Sequence, residues 1–110
     1  MNKLDVSSLI RQMLESAKKV LADKWPAVKD LATSSFKTLA QSLVDIEEMW
    51  LNGSITEEQA HLLLDLHKNT VKITLLSEEI IGIVTAEEAI NAAIDSVRNA
   101  VNTAIGFELL

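Results

Sequence analysis

Leu21-Ala22-Asp23-Lys24-Trp25-Pro26 is the stretch on which the fold of this 110-residue chain turns. Proline fixes φ and lacks an amide N–H. Inside a helix it kinks or ends it, and it disfavours α geometry at the preceding residue, here Trp25. The apolar stripe, followed at 100° per residue, distinguishes a kink from a chain reversal. Before the proline the stripe is Leu9, Ile10, Met13, Leu14, Ala17, Val20 and Leu21. After it the stripe resumes at Val28, Leu31, Ala32, Phe36, Leu39, Leu43, Ile46, Met49 and Trp50. Both halves fall on nearly the same face. The continuous phase predicts one long helix over residues 4–51, kinked at Pro26. The alternative is two helices joined by a tight turn at Asp23–Pro26.

Composition supports helices throughout. Three glycines and one proline are too few for the frequent turns of a strand-rich fold. Hydrophobic residues make up 48% of the chain, enough for a packed core and against disorder. The absence of cysteine excludes disulfides, thiolate metal sites and thiol nucleophiles. Met1-Asn2-Lys3-Leu4-Asp5 begins no continuous apolar run, so no signal peptide is read there and a cytoplasmic protein is expected. No uncharged stretch of transmembrane length occurs, which argues against a membrane span. The formal charge of −6 argues against nucleic acid as partner.

Asn52-Gly53-Ser54 marks the clearest break, with Ser54 or Thr56 able to cap a second helix over about 55–81. That helix has two apolar sides. Ile55, Leu62, Leu66, Ile73, Ile80 and Val84 share one, and Ala60, Leu64, Val71 and Leu75 lie nearly opposite. Glu57, His61, Asp65, Lys68, Lys72 and Glu79 form the narrow charged stripe that remains. A helix apolar over most of its circumference needs several neighbours. A third helix is read over about 86–106, after a break at Gly82–Thr85, with Thr85 and Glu88 at capping-box spacing. Its face is Ala89, Ile90, Ala93, Ile94, Val97, Ala100, Val101, Ala104 and Ile105, with Ala86, Ala93 and Ala100 forming a small-residue seam.

The expected fold is therefore all-α. A single helical domain, residues 1–110, forms a long antiparallel hairpin or three-helix bundle, coiled-coil-like and completed by oligomerisation. The reason for the last step is length. A helix over 4–51 would span roughly 70 Å, whereas a compact domain of this size has a radius of gyration near 13 Å. Such a hairpin would leave much of its stripe bare, and bare apolar patches mark interfaces. A turn at Pro26 would instead permit a monomeric four-helix bundle. Charge is uneven as well. Residues 1–40 hold seven bases and four acids, a net +3, and residues 41–110 hold three bases and twelve acids, a net −9. Opposite ends of opposite sign can select partner and register.

Candidate interface residues are Leu62, Leu66, Ile73, Ile80, Ala93, Val97, Ala100 and Val101. No catalytic, metal or cofactor site is expected. Glu58-Gln59-Ala60-His61 has the Glu-x-x-His spacing of di-iron helices, but no second copy exists. His67 reads as a hydrogen-bonded boundary residue. Thr33, Ser34, Ser35 and Thr38 lack an evident base and read as helix-crossing polar groups. The pairs Glu47-Glu48, Glu57-Glu58, Glu78-Glu79 and Glu87-Glu88 read as first-turn and solvated acids. Trp25, Trp50, Phe36 and Phe107 read as packing groups. Function is then expected in association: a non-enzymatic scaffold, adaptor or accessory subunit, forming a homo-oligomer or binding another protein. A metal or ligand site within the bundle is the alternative, and a membrane-associated helical protein the further one.

Overall fold

The computed structural model describes residues 4–110, and the reading of Met1–Lys3 lies outside them. Helix α1 runs Val6–Leu21, α2 Trp25–Leu51, α3 Glu57–Leu76 and α4 Ile83–Ile105, with a single 3₁₀ turn, Ala22–Lys24, between the first two. There is no strand among the described residues.

The long kinked helix over 4–51 is replaced by two helices. The chain reverses at Ala22, whose backbone adopts φ 49°, ψ −117°. The Ala22 amide closes α1 on the Lys18 carbonyl. Pro26 then stands in the first turn of α2, where its missing N–H is no loss and its fixed φ suits the helix. It starts a helix and kinks none. The molecule measures 41 × 22 × 19 Å, well short of the extended hairpin. The need for a partner to cover a long bare stripe disappears with it.

α1 and α2 lie antiparallel. The Leu4 amide donates to the buried Glu47 carboxylate at 3.4 Å, which ties the start of α1 to the end of α2. At Asn52 the next reversal follows a Schellman pattern. Gly53 takes a left-handed φ of 79°, its amide donates to the Trp50 carbonyl, and the Ser54 amide donates to the Met49 carbonyl. Thr56 caps α3 with a reciprocal box to Gln59, and Glu57 and Glu58 occupy the favourable first turn.

The second helix ends five residues earlier than the 55–81 expectation. A turn through Ser77–Ile80 follows α3, and Ile81 is pushed into the core, 3% exposed. The third break also shifts. Gly82, in extended geometry, is the N-cap of α4, so Thr85 lies within the helix and caps nothing. At the far end Gly106 is left-handed, with φ 96°, and its amide returns to the Asn102 carbonyl.

α1, α2, α3 and α4 form a ring in that order, each packed on the next, with α4 closing onto α1. α1–α4 is the most extensive contact and α2–α3 the next, while α3 meets α4 more lightly and α1 and α3 stand at opposite corners. The result is an up-down-up-down helical bundle with one core. Met13, Leu21, Phe36, Leu39, Leu43, Ile46 and Leu75 are its largest wholly buried apolar side chains.

Candidate interaction surface

The ring order decides what each apolar face meets. From Ala86 onward α4 carries most of its apolar residues on one arc, and that arc is spent inside the bundle. Ala93, Val97 and Val101 are fully buried within this one chain. They are core residues and present nothing to a second molecule. Ala100 is exposed. A seven-residue seam drifts about 20° per step around a straight helix, and by Ala100 it has left the covered sector.

α3 differs. Ala60, Leu64, Val71 and Leu75 are buried. The opposite side packs on no other helix among the described residues. Leu62 is 63% exposed, Leu66 59% and Ile73 71%. Ile80, Ile83 and Val84 extend the bare apolar surface around the α3–α4 turn. Of the eight candidate interface residues, Leu62, Leu66, Ile73 and Ile80 thus form one outward patch. Ile83 joins them although the heptad-like spacing did not reach it, because the helix starts three residues earlier than Thr85 suggested. Scattered exposed leucines are ordinary, but Leu62, Leu66 and Ile73 lie along one helix face, with Asn69 between the last two, which is the pattern of an interaction site.

Polar residues flank this row on the α4 side. Asp65, Lys68, Asn69 and Lys72 line a groove of about 310 Å³ against Glu87, Ile90 and Asn91 of α4. Lys72 Nζ lies 3.3 Å from the Glu87 carboxylate across it. The groove continues into a space of about 450 Å³ reached by His61 and Arg98. On the other side of the molecule His67 borders an apolar groove of about 480 Å³ with Val6 and Ile10.

The remaining chemistry-bearing residues are placed by packing. His61 meets Phe107, ring centroids 5.7 Å apart, and Phe107 meets Trp50 edge-on at 4.8 Å. Trp50 Nε1 donates to the Ile105 carbonyl at 2.9 Å. These contacts gather the ends of α2 and α4 and the start of α3, an arrangement that only the up-down topology brings together. Asn102 holds the C-terminal segment, its Oδ1 accepting from the Leu109 and Leu110 amides at 3.0 Å each. Glu58 and His61 gain no further ligand-type neighbours, and no group of three or more His, Cys, Asp or Glu is placed to hold a metal among the described residues. Thr38 and Ser42 hydroxyls donate to carbonyls one turn back, and both side chains line the groove that His67 borders. No helix of the described residues is long and apolar enough to cross a membrane. Comparison with known proteins finds no matching family model, no similar curated protein and no similar solved structure.

Proposed function

We propose that this protein acts by association, as a non-enzymatic helical module whose working surface is the outward face of α3. The observation that carries this reading is the row Leu62, Leu66 and Ile73, each more than half exposed on a helix whose other side is already packed. Leaving such side chains in water forgoes roughly 1.5–3 kcal/mol apiece of burial free energy, which a partner's helix can recover. The face is flat and helical, so its natural complement is another amphipathic helix.

Light scattering across a range of concentrations tests the reading. The wild-type chain is expected to exceed the mass of the 12.1 kDa monomer. A variant carrying Leu66→Glu and Ile73→Glu is expected to fall to monomer mass with unchanged helical circular dichroism. A wild type that stays at monomer mass at every concentration overturns it.

A further inference from the structure

Gln59, Leu62, Leu66, Asn69, Ile73 and Leu76 follow one another along α3 at alternating spacings of three and four. This is the seam of a heptad repeat. The first five are exposed and Leu76 is half-buried against the core, whereas the opposite side of α3 is occupied by the chain's own core. The bare face therefore has coiled-coil periodicity from Gln59 to Ile73.

Two charges decide what can lie on it. Asp65 and Lys72 occupy equivalent positions one heptad apart, at the seam edge that borders the α4 groove. Lys72 is a third exposed and is held at this edge by Glu87. The acids of α3 all lie in its first half and both its lysines in its second. A helix with that polarity is complementary to itself when reversed.

We infer that the occupant of this face is α3 of a second copy of the chain, laid antiparallel about a two-fold axis. The inference rests on the association reading above and names its partner. In the register that pairs Leu62 with the partner's Ile73, Leu66 meets the partner's Asn69 and Gln59 the partner's Leu76. Asp65 then faces the partner's Lys72, and the symmetry repeats the pair. A slide of one heptad one way sets Lys72 against the partner's Lys72, and the other way sets Asp65 against the partner's Asp65, a like pair that Glu58 against the partner's Lys72 offsets there. A parallel arrangement sets both residues against Thr70 and Ser77 and joins no unlike charges. Of these arrangements only the first joins unlike charges of α3 with no like pair across the seam. The interface is isologous, as a two-fold dimer requires. Asn69, set against the partner's Leu66, lowers its stability.

Charge reversal tests this directly. Sedimentation equilibrium is run on the wild type, on Asp65→Lys, on Lys72→Glu and on an equimolar mixture of the two variants. Asp65 is exposed, whereas Lys72→Glu also breaks the contact with Glu87, so circular dichroism and the thermal midpoint at low concentration check the fold of each variant. The wild type is expected to reach twice the monomer mass. Each single variant sets like charges face to face twice and is expected to dimerise at least about tenfold more weakly. In the mixture, the lysine introduced at position 65 of one copy faces the glutamate introduced at position 72 of the other. The second contact is the native one, Lys72 against the partner's Asp65. The mixture is therefore expected to recover wild-type strength as a heterodimer. A wild-type dimer that neither reversal weakens, or a mixture that fails to recover, overturns the antiparallel α3 pair and leaves the association reading standing. A wild type that remains monomeric overturns both.

Discussion

α3 and α4 are neighbours of similar length, 20 and 23 residues, and both are rich in apolar side chains. α4 has its apolar surface largely used, with Ile83 and Val84 bare only at its start, and α3 has about half of its own bare. The difference does not lie in hydrophobicity. It lies in how many corners of the ring reach each helix. α4 is gripped by α1 along one continuous arc, and its apolar residues lie on that arc. α3 rests on α2, touches α4 lightly, and leaves Leu62, Leu66 and Ile73 more than half exposed. An apolar face signals burial only against a neighbour that the topology supplies. Where it supplies none, the face is free for association.

The sharpest way to break this comparison is to place the same charge on both helices. Val97 is 1% exposed in α4. Val97→Asp puts an unpaired carboxylate in the core, and a loss of about 4 kcal/mol or more is expected. Leu66→Asp on α3 is expected to shift the stability of the isolated chain by no more than about 0.5 kcal/mol. Urea denaturation at low protein concentration, followed by circular dichroism, reads both. Similar losses at the two positions would mean that the α3 face is covered within the chain.

A subtler pair separates the two sides of α3 alone. Leu75→Ala removes a wholly buried side chain and should cost about 2–5 kcal/mol. Ile73→Ala should leave the isolated chain almost unchanged. Its effect should emerge with concentration, because a partner that binds only the folded state raises apparent stability by mass action. The wild-type thermal midpoint is expected to climb as protein concentration increases, and the Ile73→Ala midpoint to stay flat. Parallel concentration curves would remove Ile73 from the interface.

The coverage of α4 by α1 depends on the reversal at Ala22, the feature least legible in the sequence. Break positions at Asn52-Gly53, the all-helical class and the double-sided character of residues 60–75 can be read from turn chemistry and periodicity. The reversal cannot, because stripe phase does not discriminate there. Leu21 and Val28 are seven residues apart, so they stay nearly in phase whether the helix continues or a short 3₁₀ turn intervenes. Pro26 in a first helical turn leaves the stripe after it as regular as a kink would. The informative residue is Ala22, and alanine carries no turn signal. Its positive φ strains a side chain that glycine lacks. For the same reason the candidate residues divide unevenly: spacing places Ala93, Val97 and Val101 on one face, but only the ring order shows that α1 covers it. Ala22→Gly is expected to stabilise the bundle by about 1 kcal/mol, relief of strain outweighing the added freedom of the unfolded chain. Denaturation midpoints of the two proteins check this. A loss of stability would show that Ala22 is not strained.

The smallest effects separate α3 from α4 at their first residues. Thr56 and Gln59 close a full capping box on α3, so Thr56→Ala should cost about 1 kcal/mol. α4 begins at Gly82 with no side-chain cap and no acid in its first turn. The Gly82 backbone, at φ −85° and ψ 169°, is open to any residue, and nothing lies within 4 Å of where a Cβ would stand. A serine there can accept from an otherwise unpaired amide of the first turn of α4. Gly82→Ser is therefore expected to stabilise the chain by a few tenths of a kcal/mol, with a smaller loss of unfolded-state freedom adding to the gain. Amide hydrogen exchange resolves changes of this size locally, and slowing is expected at Thr85 and Ala86, with α3 unaffected. If α3 also slows, then its light contact with α4 couples the two helices more tightly than their packing implies, and the bare face belongs to a stiffer element than the ring order suggests.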